Sequence, residues 1–273
     1  MTTTLRPTEP LQHASDGTRS RRYQVCVNSR PVGGIHLGTS PSFGATVARI
    51  LDLCIEEPDR RRGRATVAAL AAEEVARGWG CRQIEVQVPA DAEAALRLVE
   101  ALGYVHRNRG MEKRLGLPPE LPAGSRGRPM TEAEFEAWLG HESEAYARSW
   151  MERGVPETTA YERARRDHVT ALPQGRSTEN MWFSVLEHEG TRVGTLWLGL
   201  RGDKVHVYNV EADEAHRGRG HGRTLMLLAE TRTIAADRHV VSLSVFAGNT
   251  PAERLYESLG YEATQYVLYK SLL

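Results

Sequence analysis

The sequence is poor in cysteine, carries no net charge and has no apolar run of membrane-spanning length. Its three cysteines, Cys26, Cys54 and Cys81, are odd in number, scattered, and absent from the second half. That excludes a disulfide framework and a cysteine metal site, and it points to a reducing, cytoplasmic location. Cys26 and Cys54 lie in strand-like runs and read as small core residues. The histidines near the later arginine cluster, His216 and His221, lack metal-ligand spacing, so no metal is expected. Thirty-five basic residues are balanced by thirty-five acidic ones. A dedicated nucleic-acid binder would show a basic excess, so no nucleic-acid partner is expected, although a local basic pocket remains open. No membrane partner is expected either. Residues 1–20 are polar, have no signal-peptide core, and are expected to form a disordered leader.

What is present is a soluble globular composition, 40% apolar and 26% charged, over 273 residues, enough for two domains. The most informative stretch runs from Val205 to Glu230. Val205, Val207 and Val210 alternate with polar neighbours as in a strand. The turn Arg217-Gly218-Arg219-Gly220-His221-Gly222 follows, and then Leu225, Leu228 and Ala229 at helical spacing. A strand, a glycine turn and a helix aim backbone N–H groups at an anion, because a helix start has unpaired donors and partial positive charge. Glycines let the backbone approach a ligand, and Arg217, Arg219 and Arg223 add formal charge. The stretch is expected to hold a phosphate or pyrophosphate.

Along the rest of the chain, residues 22–28 and 31–38 read as a hairpin joined at Ser29-Arg30, and 46–56 as a third strand. An arginine-rich turn at 60–65 opens an alanine-rich helix over 66–77. A strand at 84–88, a helix at 91–102 capped by Gly103, and a strand at 111–115 follow. Residues 116–127 form the clearest linker, rich in proline and glycine. Thr131 with Glu134 is a capping box opening a helix to about Glu152, and a second helix spans 159–171. A three-stranded meander over 181–187, 192–200 and 204–212 leads into the glycine turn and its helix. A strand at 241–246, a helix at 251–259 and a closing strand at 265–268 end the chain.

The two halves repeat at a constant offset of 157 positions: Arg60 matches Arg217, Gly63 matches Gly220, and Tyr104 matches Tyr261. Positions 60–104 and 217–261 are identical at 15 of 45 places without a gap. The matches fall on the glycine turn and the helix ends, as a duplication requires. The first copy lacks the two helices that precede the meander in the second. The expected organisation is a leader (1–20), a truncated copy (21–115), a linker (116–127) and a complete domain (128–273).

Arg217 to Gly222 matches the Arg/Gln-x-x-Gly-x-Gly/Ala signature of the GNAT superfamily of N-acetyltransferases. Asn249 to Tyr261 resembles that family's second signature, from its fifth strand into the next helix. The resemblance implies an α/β fold, here two GNAT units, each a splayed, mostly antiparallel mixed sheet flanked by helices. It implies acetyl-CoA as co-substrate and a primary amine of a small molecule or peptide as acceptor. The amides of Arg217, Gly218, Arg219, Gly220, His221, Gly222, Arg223 and Thr224 would bind the pyrophosphate. The strand end at Val210 and Ala212 would pair with the pantetheine arm, a bulge there would splay the strand, and Asn249 would contact the arm. Tyr256 stands where the family often has a tyrosine near the leaving thiolate.

That chemistry is consistent. A phenol of pKa ~10 can protonate a thiolate whose conjugate acid is near ~8.5. Backbone N–H groups at the splayed strand would stabilise the oxyanion. Glu211 is the first candidate for the base. His206, Tyr208, Asn209 and a water chain remain open. Tyr256 is expected to be catalytic or to contact the cofactor, with a core aromatic as the other reading, and Trp182, Trp197 and Tyr208 read as either cleft or core. In the first copy Tyr256 becomes Val99, Asn249 becomes Ala92 and Glu211 becomes Cys54, so catalysis is expected only in the second. With no cysteine there, direct transfer in a ternary complex is expected. A non-catalytic acyl-CoA-binding module is the alternative. The acidic residues Glu142, Glu144, Glu152 and Glu157 read as either a cation-attracting cleft or a solvated helix face. A monomer or homodimer is expected.

Overall fold

The structure is a computed structural model describing residues 3–40, 44–152 and 155–272. The chain divides into two compact units, Met1–Arg109 with Ala263–Leu273, and Gly110–Glu262.

The first unit contains β1 (Thr3–Pro7), β2 (Gln12–His13), β3 (Arg19–Val27), β4 (Arg30–Ser40), β5 (Gly44–Ile55), α1 (Arg64–Gly78), β6 (Gln83–Pro89) and α2 (Glu93–Ala101). β7 (Val105–Arg114) starts there and continues into the second unit, six residues earlier than the sequence pattern suggests. The β3–β4 turn is Asn28-Ser29, both at positive φ (48° and 68°), one residue before the expected position. Two left-handed residues make the turn whose twist suits a hairpin. The polar leader is corrected by the structure. β1 pairs antiparallel with β3, from Thr3↔Val27 to Pro7↔Tyr23, and Leu5 packs against the first core. One apolar side chain in five is too weak a local signal, and the open edge of β3 supplies the order.

The second unit adds β8 (Ser125–Pro129), α3 (Glu132–Met151), α4 (Glu157–Ala171), β9 (Met181–His188), β10 (Thr191–Arg201), β11 (Lys204–Ala212), α5 (His221–Ala235), β12 (Val240–Phe246) and α6 (Thr250–Ser258). β8 begins inside the expected linker. A Cβ on Gly127 would run into the Leu228 side chain, so a larger residue would have to displace Leu228 where β8 passes α5. The capping box forms: Glu134 N–H donates to Thr131 Oγ1 (3.3 Å) and Thr131 N–H to Glu134 Oε2 (2.8 Å). Arg128 grips Glu134 with two bonds of 2.7 Å, and its guanidinium holds that carboxyl down at about 2.

β13 (Glu262–Ser271) lies in the first unit apart from its first residue. It pairs antiparallel with β6, from Gln265↔Pro89 to Ser271↔Gln83, and Leu268 and Leu272 enter the first core. The repeat shows what has happened. Lys113 and Lys270 are 157 positions apart, as are Glu73 and Glu230. Lys270 binds Glu73 at 2.8 Å, and Lys113 binds Glu230 at 2.7 Å. Each unit therefore keeps the same buried ion pair, but takes the lysine from the other copy's closing strand. The compact units cut across the boundaries that the repeat suggests.

Each unit has a mixed sheet, ordered β1-β3-β4-β5-β6-β13 in the first and β7-β12-β11-β10-β9-β8 in the second. In the second, β11 and β12 run parallel and the meander β9-β10-β11 antiparallel. Its sheet carries two apolar clusters. One joins Leu198, Val205 and Val207 to Leu225 and Leu228 of α5. The other joins Phe183, Val185 and Trp197 to Phe135 and Trp138 of α3.

Candidate active site

The glycine turn leads into α5 with Gly218 (φ 76°) and Gly220 (φ 85°) in the left-handed region, and open space where either Cβ would stand. No side chain caps α5. Its first backbone bond is Thr224 N–H to Gly220 C=O, 3.2 Å, so the preceding first-turn amides have no helical acceptor. A diphosphate fits this cradle. Substituting Gly220→Val forces a β-branched residue to positive φ. The expected result is at least a tenfold weaker acetyl-CoA affinity by calorimetry; unchanged affinity would count against the cradle.

The other residues of the signature divide. Arg217 ties the turn to the strand end, with Nε donating to Ala212 C=O (3.4 Å) and an Nη paired with Glu211 (3.3 Å). Arg223 turns to Ser258 on α6. A Cβ on Gly222 would lie 3.3 Å from Leu255, so this glycine serves helix packing. Thr224 is buried with its hydroxyl on Gly220 C=O. Asn249 Oδ1 accepts from Ala252 N–H (3.4 Å) and caps α6. His221 is buried, and burial, then the charges of His188, His216 and Arg219, lower its pKa.

The splay is present. β11 and β12 pair only from Val205↔Val241 to Val207↔Leu243, although β11 continues to Ala212 and β12 to Phe246. In the β10–β11 ladder, Trp197↔Asn209 is followed by Leu198↔Val207, so Tyr208 is the extra residue of a bulge. The bulge also changes parity. Val205 and Val207 face α5, and simple alternation would send Asn209 and Glu211 the same way. One extra residue turns both toward α3 and leaves Val210 and Ala212 on the α5 side.

On the α3 face, Glu211 pairs with His141 Nε2 at 3.0 Å as well as with Arg217. Tyr208 stacks on Trp197, with centroids 4.6 Å apart. Buried Glu142 accepts from Asn209 Nδ2 at 2.9 Å and lies 3.9 Å from His168 Nε2. Burial, then the charge of Glu211, pushes the Glu142 carboxyl up to about 8. The solvated-face reading of Glu142 is therefore corrected. The available signal was its spacing from Phe135 and Trp138, which places all three on one helical stripe. His206 is buried against Ser242 (3.0 Å), and burial lowers it to about 4. Tyr256 is 7% exposed within the α5-side core, and burial alone raises its phenol to about 12.

The first unit repeats the splay with different residues at the matching positions. Leu51 is its bulged residue, and β5 and β6 pair only from Val47↔Gln83 to Ile50↔Val86. A cavity of about 350 Å³, lined by residues including Arg49, Leu51, Gln87 and Gln265, opens there. Arg60 Nε holds Ile55 C=O at 2.8 Å, as Arg217 holds Ala212. Two of its arginines, however, share an anion of the unit's own: buried Asp59 takes two bonds from Arg30 (2.8 and 2.9 Å) and lies 2.7 Å from Arg64. The places of Asp59 and Arg64 are held by His216 and His221 in the second copy. Among the described residues no cluster suits a metal ion, and no helix is long and apolar enough to cross a membrane.

Comparison with known proteins matches this architecture. The acetyltransferase (GNAT) family profile matches residues 3–104 and 135–261. The uncharacterized N-acetyltransferase YdgE of Bacillus subtilis is 30% identical over 151 residues, 52% of this chain and 95% of that protein. A mycothiol acetyltransferase of Thermomonospora curvata is 29% identical over 268 residues, covering 93% of this chain and 83% of the relative. A GCN5-related N-acetyltransferase from Sphaerobacter thermophilus shares the fold, with a TM-score of 0.60 at 21% identity over 92% of this chain and 80% of its own. With matches in both halves and a splayed sheet in each, this chain belongs to the GNAT family of acetyltransferases, as a tandem member.

Proposed function

We propose that the second unit transfers an acetyl group from acetyl-CoA to a primary amine, by direct attack in a ternary complex. The observation that carries the reading is the combination in one unit of an uncapped α5 start, an unpaired β11 edge beyond the Tyr208 bulge, and the phenol of Tyr256 where the first copy has Val99. Acetyl-CoA supplies the activated acetyl group. The amides after Gly220 hold its diphosphate, and the open edge from Asn209 to Ala212 offers backbone groups to an amide-bearing arm. Tyr256 keeps its proton at neutral pH and donates it from Oη to the leaving sulfur. Glu211 holds Arg217 and thereby the turn.

The acceptor in this reading is a small-molecule amine, which the length-wide likeness to proteins named mycothiol acetyltransferase favours over a protein acceptor. The test combines calorimetry of acetyl-CoA binding with thiol release over a panel of an aminosugar, a diamine, an aromatic amine and a peptide with a free N-terminus. Release with a small amine supports the reading. Tight binding with no release from any amine supports a non-catalytic acyl-CoA-binding module instead. Release with the peptide alone would move the acceptor to proteins.

A further inference from the structure

We propose that Glu142 and Asn209 form the acceptor-amine subsite, and that Glu142 is the base that takes the amine proton. This deepens the transfer reading of the second unit and rests on it.

Three observations converge. First, Glu142 is buried on α3, opposite the strand segment that the Tyr208 bulge turns toward it. Its Oε2 is held by Asn209 Nδ2, and its Oε1 faces His168 Nε2. Second, Asn209 Oδ1 is buried and has no hydrogen-bond partner among the described residues. An orphaned buried acceptor is costly, and it is the kind of group a ligand donor satisfies. Third, His168 does not neutralise Glu142. Its Nδ1 donates to Ala164 C=O at 2.7 Å, which leaves the Nε2 lone pair toward the carboxyl, and burial lowers its pKa.

The groups facing Glu142 are thus a neutral imidazole from α4, a carboxamide from β11 and, further off, the charge of Glu211. Glu211 is itself engaged by His141 and Arg217, so both its oxygens already have partners. A carboxyl with no cationic partner among the described residues, and one orphaned oxygen beside it, lacks an ammonium group. An alkylammonium supplies the missing charge and donors for both Glu142 and Asn209 Oδ1. Burial raises Glu142 into the range where it can remove a proton from that ammonium.

The step balances. One N–H proton passes to Glu142, freeing the nitrogen lone pair. The C–N bond forms as the C–S bond breaks, and the sulfur takes the Tyr256 proton. The second N–H proton returns through water to Tyr256, and Glu142 releases its own to solvent. The products are the amide, the thiol and one proton.

The experiment uses the full chain, acetyl-CoA and the same amine panel, from pH 6 to 10. Glu142→Gln is expected to lower kcat/KM for the amine about 100-fold or more at pH 7.5. Acetyl-CoA affinity by calorimetry should stay within about twofold, and the defect should shrink toward pH 10, where the amine is already neutral. A second readout needs no turnover. A carboxyl whose folded pKa is raised favours the native state at low pH and loses that contribution as pH rises from the unfolded value toward about 8. The wild-type Tm should therefore carry a downward term between pH 5 and 8 that Glu142→Gln removes. Unimpaired rates in a folded Glu142→Gln variant overturn the assignment, as does loss of the acid limb in Glu211→Gln alone. A wild type silent on every amine overturns the transfer reading and the base with it.

Discussion

Ending the chain after Glu262 is expected to unfold the first unit and spare the second. The deleted strand supplies Leu268 and Leu272 to the first core and covers the β6 edge over seven residue pairs. It also supplies Lys270, the partner of buried Glu73. Losing one buried leucine costs about 2–5 kcal/mol, and stranding a buried charge about 3–5 kcal/mol. Together these match much of the ~5–15 kcal/mol that holds an ordinary domain folded. Hydrogen exchange should show protection lost in α1 and β6 but kept in α5 and β11. The repeat alone suggests the opposite, because residues 263–273 close the second copy in sequence. Protection lost only between residues 110 and 262 would show that β13 serves the second unit.

Tyr256→Phe is expected to lower kcat about 100-fold or more, with acetyl-CoA affinity unchanged. The hydroxyl is the only group removed, and burial alone acts on its acidity. Stability should change little, because the ring keeps its place in the core cluster that also holds Val207 and Leu243. A raised phenol pKa keeps the donor protonated throughout the neutral range, so the defect should be flat from pH 6 to 9. A calorimetric affinity that falls with kcat would make Tyr256 a cofactor contact. Full activity would make it a core aromatic and nothing more.

These two variants probe opposite kinds of knowledge. The glycine turn and the helix start after it are legible in the chain because their physics is local. Left-handed backbone at Gly218 and Gly220 favours glycine, and an uncapped helix start exposes donors whatever surrounds it. The capping box at Thr131 and Glu134 is local in the same sense, and it forms as its spacing implies. The duplication is also legible, since 15 identities in 45 positions need no coordinates.

Tertiary structure decided the rest. Strand β1 exists because β3 has an open edge, which five mostly polar residues cannot announce. The closing strands change units because an ion pair and a leucine fit equally well in either copy of a duplicated core. The direction of Glu211 and Asn209 hangs on one unmatched residue, Tyr208, since a single insertion reverses the faces of every later position in a strand. The state of Glu142 follows from burial between α3, α4 and β11, and a proton affinity set by desolvation belongs to no residue until the fold encloses it. Sequence alone determined the family, the glycine turn and the repeat, because short-range backbone chemistry sets them. Which strand completes which sheet, and which carboxyl can act as a base, are matters of long-range pairing and burial.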